Sequence, residues 1–310
     1  MPRALAKALA FFNCLTAYLA AGVAAAVVAR LAAGLHPILA AGLADLAATV
    51  VVFVFSLIHD NSSYYDPYWS VLPPLLALYW LLRAGAGGIA ARQGLAGALL
   101  LAWAARLTFN WARRWQGQED WRYAGFRRAG AAHLPAAAAA PKHGYLPYWP
   151  VSFMGFHLMP TVVVFLGCLP LWPALTAPGR PLGLLDAAAF LVTAGAAAIE
   201  AAADRQLVRF LRSSAPGAVL DAGLWAWSRH PNYFGEVAFW WGLWLFGLAA
   251  DPSWWWTVVG PLAMTALFLG VSIPMMDRHL ASGRPEYARR LRGRSGFIPL
   301  PPRKTKRPAR

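Results

Sequence analysis

Hydrophobic residues run along this chain in long, nearly uninterrupted stretches, not in an alternating or one-sided pattern. A helix needs about 20 consecutive apolar residues to cross a bilayer core. Eight stretches approach that length and are predicted to be membrane spans: Ala8–Ala29, Ile38–Ile58, Tyr68–Leu82, Gly94–Asn110, Val151–Leu171, Gly183–Ala203, Phe234–Ala250 and Trp254–Ile273. The third and fourth are short, so the pattern predicts an all-α, polytopic membrane helical bundle of seven or eight transmembrane helices.

The spans are predicted to form one integral membrane domain over residues 1–302, with the cofactor-binding part in the C-terminal half, about 150–302. Residues 303–310 are predicted to be a disordered basic tail. The fourth span is predicted to leave the membrane as a continuing helix from Arg106 to Tyr123, because apolar and aromatic residues keep a helical spacing there.

Composition strengthens the membrane interpretation. Hydrophobic residues make up 59% of the chain and charged residues 13%, whereas soluble domains carry about 25% charged residues. The two cysteines, Cys14 and Cys168, lie inside apolar stretches and are too few for a disulfide framework. The chain is therefore not expected to be an ordinary soluble enzyme or a secreted disulfide-rich protein.

The net charge of +15 is unevenly distributed. Lys and Arg number six in residues 111–149, four in 204–233 and eleven from Met275 onward, against one in 176–182 and none in 251–253. The positive-inside rule places the three basic regions, and hence the C-terminus, in the cytoplasm. We expect the basic tail to bind anionic lipid headgroups, at about 1 kcal/mol per basic residue, and not nucleic acid. The membrane is a bacterial inner membrane or the endoplasmic reticulum.

The segment Gly223–Glu236, with the sequence GLWAWSRHPNYFGE, carries the densest group of polar residues next to an apolar stretch. Pro231 suits the first turn of a helix, so a helix is predicted to start there. Arg229 then lies at the helix N-terminus, where free N–H groups favour an anion. Asn232, Tyr233 and Glu236 share one face. An arginine fork beside an amide, a phenol and a carboxylate indicates a nucleotide-cofactor site.

This segment resembles the signature of the DUF1295 membrane proteins, which belong with the steroid 5-alpha-reductase and sterol-reductase superfamily. Asn61–Val71, Glu119–Tyr123 and Ala203–Gln206 resemble the same family. The resemblance implies an NADPH-dependent oxidoreductase that reduces an activated C=C bond in a hydrophobic steroid-, sterol- or other lipid-like substrate. It implies no metal.

The resemblance also implies roles for individual residues. Arg229, Arg209 and Arg205 are expected to bind phosphates, and Tyr287 to cover the site. Asp277 stands where the family pattern leads us to expect glutamate. The full set of cofactor-binding residues predicted in this way is Asp204, Gln206, Arg209, Arg229, His230, Asn232, Tyr233, Glu236 and Tyr287.

A second polar cluster follows the second span. Reduction of an enone develops negative charge on the carbonyl oxygen, so a hydrogen-bond donor aimed at that oxygen lowers the barrier. Asp60, Tyr64 and Tyr65 are predicted to supply this catalytic donor. The competing interpretation is a solvated turn before Pro67.

Two other functions stay open at this point. The core Arg229-His-Pro-Asn-Tyr233 is shared with membrane methyltransferases of the isoprenylcysteine type, which use S-adenosylmethionine. A non-catalytic lipid-binding membrane protein is the other alternative. A Rossmann site is not expected, because the glycine pattern at Gly85–Ala90 follows no strand.

Overall fold

The computed structural model describes residues 3–131, 148–178, 180–215, 217–283, 286–291 and 293–301. Within these residues the secondary structure is helical, apart from one isolated bridge between Ser228 and Ser295. The predicted all-α class is therefore confirmed. The predicted tail, residues 303–310, lies outside the described residues.

The helices are numbered in chain order, and short 3₁₀ turns occupy Ser62–Tyr65, Gly85–Gly87 and Gly223–Ala226. The sixth and tenth helices each contain a π-helical turn, at Phe153–Leu158 and Phe268–Ser272. Their bounds are α1 Arg3–Leu31, α2 Pro37–Ile58, α3 Tyr68–Ala84, α4 Ala90–Arg114, α5 Trp121–Ala131, α6 Tyr148–Cys168, α7 Leu171–Thr176, α8 Leu184–Ser213, α9 Pro231–Ala250, α10 Pro252–Gly283 and α11 Glu286–Arg290.

Six of the described helices, α1, α2, α4, α6, α8 and α10, are long and apolar enough to cross a membrane by length and composition. The outer face of α1 illustrates the expected environment. Leu5, Phe12, Leu19 and Val23 are all more than half exposed, while Ala17 on the opposite face is fully buried. A soluble protein rarely exposes so continuous an apolar stripe. The chain is a multi-pass membrane protein.

The chain forms two compact units, and each is described by itself. The N-terminal unit comprises Met1–Gly87 and Leu100–Trp172, and the C-terminal unit comprises Gly88–Leu99 and Pro173–Arg310. In the N-terminal unit α2 buries a row of small residues at four-residue spacing, which includes Ala40, Ala44 and Ala48. Small side chains let helices approach closely in a membrane, where van der Waals packing holds helices together.

The prediction of one continuous helix from Arg106 to Tyr123 is wrong. Helix α4 ends at Arg114, and α5 begins only at Trp121. Gly117 adopts φ +92°, a left-handed conformation that no helix contains. Asp120 then accepts a hydrogen bond from the Arg122 backbone N–H at 3.0 Å, as a residue before a new helix does. The spacing of apolar residues in this segment matches a helix, but Gly117 interrupts the helix and Asp120 starts a new one.

In the C-terminal unit α8 and α9 pack with almost no space between their backbones. A Cβ atom at Gly242 would lie 2.8 Å from the Thr193 backbone nitrogen, and one at Gly235 would lie 2.8 Å from the Ala196 carbonyl oxygen. A buried, bidentate ion pair in the same unit fixes the start of α8. Arg92 Nε and Nη2 lie 2.6 and 3.0 Å from the two carboxylate oxygens of Asp186.

We expect Gly242→Ala to lower the stability of the protein, because the added methyl group meets the backbone of α8. Overpacking of this kind costs about 1–3 kcal/mol. The control is Gly195→Ala on α8, where a Cβ meets nothing within 4 Å and the better helix propensity of alanine should act alone. Thermal unfolding of the detergent-purified variants tests this. Equal midpoints for the two variants would show that the close approach does not limit packing.

Candidate functional site

The segment before α9 is anchored to α8 in the C-terminal unit. Gly223 begins the 3₁₀ turn at φ +61°, and a Cβ there would lie 2.6 Å from the Gln206 side-chain oxygen. That oxygen accepts a hydrogen bond from the Leu224 backbone N–H at 3.0 Å, and Trp225 Nε1 donates to the Ala203 carbonyl at 3.1 Å. Gln206 therefore positions the turn that leads into Arg229.

The C-terminal segment runs beside the same turn and holds it from the other side. The Arg229 backbone N–H donates to the Ser295 carbonyl at 2.9 Å, and the Ser228 hydroxyl donates to the Phe297 carbonyl at 2.7 Å. Arg294 Nη1 reaches the Trp225 carbonyl at 2.9 Å. These bonds hold residues 225–229 in a fixed path just before Pro231, which is the first residue of α9 as predicted.

The carboxylate of Asp277 on α10 is the centre of the site. Arg229 Nη1 lies 2.9 Å from its Oδ2, and His230 Nε2 lies 2.8 Å from its Oδ1. The Tyr287 hydroxyl donates to the same Oδ1 at 2.9 Å. The His230 side chain is 3% exposed and that of Asp277 is 19% exposed. A carboxylate with three charged or polar partners in a largely dry setting fixes the orientation of each of them.

Aromatic contacts complete the cluster. The His230 ring stacks on Tyr233 with centroids 5.2 Å apart and planes 10° apart. Tyr233 in turn meets the edge of Phe268 at 5.0 Å. The ring of Tyr287 is buried with Val219 and Leu291. The imidazole is thereby held by a stacked ring as well as by Asp277.

Two buried polar atoms at this site, Arg229 Nε and Asn232 Oδ1, have no hydrogen-bond partner among the residues that the structure describes. They lie next to the first turn of α9, where His230 provides no side-chain cap. The first N–H groups of a helix have no partner within the helix. The site therefore presents a cationic donor, an amide acceptor and a helix N-terminus, which together suit an anion that also carries a hydrogen-bond donor.

The structure brings Tyr287 together with Arg229, His230 and Tyr233, which were predicted from the separate segment before α9. Other predicted residues have different surroundings. Arg209 on α8 is exposed, and among the described residues no hydrogen bond or ion pair joins it to Asp277.

Among the remaining predicted residues of α8 and α9, Arg205 is exposed, whereas Glu236 and Asp204 are buried or half-buried. Glu236 is 9% exposed and accepts a hydrogen bond from Trp240 Nε1 at 3.0 Å. Asp204 is half-buried on α8, one helical turn after the buried Glu200.

The predicted catalytic residues of the N-terminal unit do not meet at one point. Asp60 Oδ1 lies 2.6 Å from Arg127 Nη1. The Tyr65 hydroxyl is 2.7 Å from Thr161 Oγ1. Tyr64 stacks on His59 with centroids 5.1 Å apart. Burial raises the pKa of Tyr64, and it raises that of Tyr65 well above its usual range.

The Glu119–Tyr123 motif binds the turn that holds those residues. Arg127 joins Asp60 to Glu119, with Nε 2.9 Å from Glu119 Oε2, and Glu119 Oε1 accepts the Ser62 backbone N–H at 2.9 Å. The Tyr123 hydroxyl donates to Asp66 at 2.6 Å. Burial raises the pKa of Asp66, although the Arg122 guanidinium and the Tyr123 hydroxyl oppose the rise. The two motifs thus form one interlocked polar turn.

Two carboxyl groups are more prominent in the structure than in the sequence interpretation. Asp277 was noted only as a departure from the family pattern, and it proves to connect Arg229, His230 and Tyr287. Asp45 received no role at all. The available signal was its position, because it is the one acidic residue in the apolar helix Pro37–Ile58.

A comparison with protein-family models identifies the family. A family model described as a protein of unknown function (DUF1295) matches residues 52–291, more than half of the chain. An uncharacterized protein of Schizosaccharomyces pombe is 26% identical over 245 residues, which cover 71% of this chain and 67% of the relative. No solved structure matches. The predicted resemblance is confirmed, and the chain belongs to the DUF1295 family.

Proposed function

We propose that the protein is a membrane-embedded, NADPH-dependent reductase of an activated C=C bond in a hydrophobic substrate. One observation carries the proposal: the buried, unpartnered Arg229 Nε and Asn232 Oδ1 beside the uncapped start of α9. A buried polar atom without a partner costs about 1–3 kcal/mol. A ligand that satisfies both atoms recovers this free energy on binding.

The two atoms make complementary demands. Arg229 Nε is a cationic donor and calls for an anionic oxygen, while Asn232 Oδ1 is an acceptor and calls for an N–H or O–H group. A dinucleotide carries phosphate oxygens together with amide, amino and hydroxyl donors. The residues at this site therefore fit such a cofactor, and an anion without a hydrogen-bond donor, such as chloride or sulfate, would satisfy only the arginine.

Each residue of the cluster has a physical task in this proposal. Asp277 holds the guanidinium of Arg229 and the imidazole of His230 in place, so their orientation is set before the cofactor binds. Tyr233 and Tyr287 cover apolar faces and exclude water. Arg205 and Arg209 on α8, and Asp204 and Glu236, are proposed as further cofactor contacts on the family resemblance. The bound nicotinamide supplies the hydride.

The finer features of the topology belong to the same proposal. We propose seven or eight spans, with α3 and α9 added to the six long apolar helices, and a cytoplasmic C-terminus in a bacterial inner membrane or the endoplasmic reticulum. The run of basic residues from Met275 onward supports this orientation. The catalytic role of Asp60, Tyr64 and Tyr65 stays a prediction.

We expect NADPH to raise the thermal unfolding midpoint of the detergent-purified protein, because a ligand that binds the folded state stabilises it. Arg229→Ala should weaken NADPH binding by one to two orders of magnitude, since a hydrogen bond to a charged group contributes about 1.5–3 kcal/mol. Asn232→Ala should weaken it by about tenfold without lowering the stability of the ligand-free protein, because among the described residues Oδ1 has no partner to lose.

The control for both variants is Arg278→Ala, which removes an exposed arginine adjacent to Asp277 in sequence. Its affinity for NADPH should stay within a factor of about three, because exposed charges contribute little. Parallel titrations use NADH and S-adenosylmethionine. Stabilisation by S-adenosylmethionine alone would replace the reductase by a methyltransferase, and no response to any nucleotide would leave a lipid-binding protein.

We also expect Asp277→Asn to weaken NADPH binding and to lower the unfolding midpoint. The amide keeps the size of the side chain but leaves the Arg229 guanidinium without its counter-charge. We estimate a loss of about 1–3 kcal/mol, because these side chains are partly exposed. Glu286→Gln is the matched control, since Glu286 is exposed and pairs only with Arg289 among the described residues. Equal effects in the two variants would rule out Asp277 as the centre of the site.

A further inference from the structure

A cavity of about 180 Å³ lies among α1, α2 and α3 of the N-terminal unit. Its lining is formed by small or aliphatic side chains, except for Asp45 and three tyrosines, Tyr18, Tyr68 and Tyr79. The description of the family gives this cavity no role, and the cavity is not part of the proposed nucleotide site. Its combination of apolar walls and a few polar groups is typical of a small-molecule site.

Asp45 is the unusual member of the lining. It is 2% exposed, and its Oδ1 accepts a hydrogen bond from the Tyr68 hydroxyl at 2.7 Å. Its other oxygen, Oδ2, has no hydrogen-bond partner in the described part of the chain. An ionisable group inside an apolar span is costly and is retained at functional sites. Alanine at this position, as at Ala44 and Ala48 beside it, would avoid the cost altogether.

A second unpartnered polar atom lies in the same lining. The Tyr79 hydroxyl is buried and forms no hydrogen bond. Tyr79 follows Tyr68 by three helical turns along α3, which corresponds to a rise of about 16 Å. The cavity is therefore elongated, with polar groups at two levels and an apolar wall between them.

The width of the cavity is set by α1. Over about 12 Å of helix, α1 contributes no side chain larger than a methyl group to the lining of the cavity. The lining residues in this stretch are Ala21, Gly22, Ala25, Ala26 and Ala29. Gly22 and Ala26 are exposed on the outer surface. A Cβ at Gly22 would meet nothing within 4 Å. The cavity thus forms a slot that runs along the helices, and Gly22 and Ala26 on its α1 side are accessible.

We propose that this slot binds a slender, single-chain aliphatic lipid that carries one oxygen function, and that this oxygen pairs with Asp45 Oδ2. The alkyl chain lies along the alanines of α1 and α2. A hydroxyl group both donates and accepts, so it matches the carboxyl group in either protonation state. In this proposal a rigid, fused-ring sterol does not fit along the row of alanines. The proposal does not depend on the nucleotide site and holds whether or not NADPH binds.

The test measures equilibrium binding of radiolabelled dodecan-1-ol to the full chain in detergent, without nucleotide, in competition with unlabelled dodecane and cholesterol. We expect dodecan-1-ol to compete about tenfold better than dodecane, as one hydrogen bond to a buried carboxyl group implies. Cholesterol should not compete. Equal competition by dodecane, or effective competition by cholesterol, would overturn the proposed ligand class.

Two variants assign the binding to this slot. Asp45→Leu should abolish the preference for the alcohol over the hydrocarbon, and Gly22→Leu should block both by filling the slot. Gly94→Leu is the control, because Gly94 is also an exposed helical glycine with open space around it but does not line the cavity. If Asp45→Leu does not fold, Gly22→Leu still decides the matter: undiminished binding in that variant would place the lipid elsewhere and refute the proposal.

Discussion

A buried polar group in apolar surroundings must find a hydrogen-bond partner, because leaving it unpaired costs several kcal/mol in a membrane interior. This constraint explains most of the polar architecture of the protein. In the C-terminal unit Arg92 and Asp186 form a two-pronged pair at the start of α8. In the N-terminal unit Arg127 joins Asp60 to Glu119. In both places side chains distant in sequence satisfy each other.

Four buried polar atoms of the described residues that lack a hydrogen-bond partner occur as pairs in two places. Arg229 Nε and Asn232 Oδ1 lie at the start of α9. Asp45 Oδ2 and Tyr79 Oη lie in the lining of one cavity. In each place other hydrogen bonds and ion pairs fix the surrounding side chains in position. The unpaired atoms can therefore still form a hydrogen bond to a ligand. That combination is what a pre-organised ligand site requires.

The C-terminal segment gives the cluster around Asp277, the proposed nucleotide site, its rigidity. Residues 294–300 bond to the backbone of residues 225–229, and Tyr287 bonds to Asp277. Gly296 permits this contact, since a Cβ there would lie 2.9 Å from Arg229 Nη2. The guanidinium thus rests against backbone on one side and a carboxylate on the other. Few rotamers remain open to it, and little entropy is lost when an anion binds.

Several features of the fold could be predicted from the sequence, because they depend on residues close together in the chain. The length of the apolar stretches located the six long apolar helices, because a helix that faces lipid must be apolar along its whole length. Pro231 marked the start of α9, because the ring of proline fits the first helical turn. The same reasoning failed between Arg114 and Trp121, where a helical spacing of aromatic residues hid the left-handed glycine at Gly117.

By itself, then, the sequence determined the helical class, the membrane setting, the family and most members of the cluster before α9, since each depends on composition or on residues close together in the chain. Only the tertiary structure decided what these residues contact. Asp277 lies more than forty residues beyond Arg229 and His230, yet its carboxylate bonds both. Asp45 and Tyr68 meet across a helix pair. Pairing between distant side chains depends on how helices pack, and no local pattern in the sequence encodes that packing.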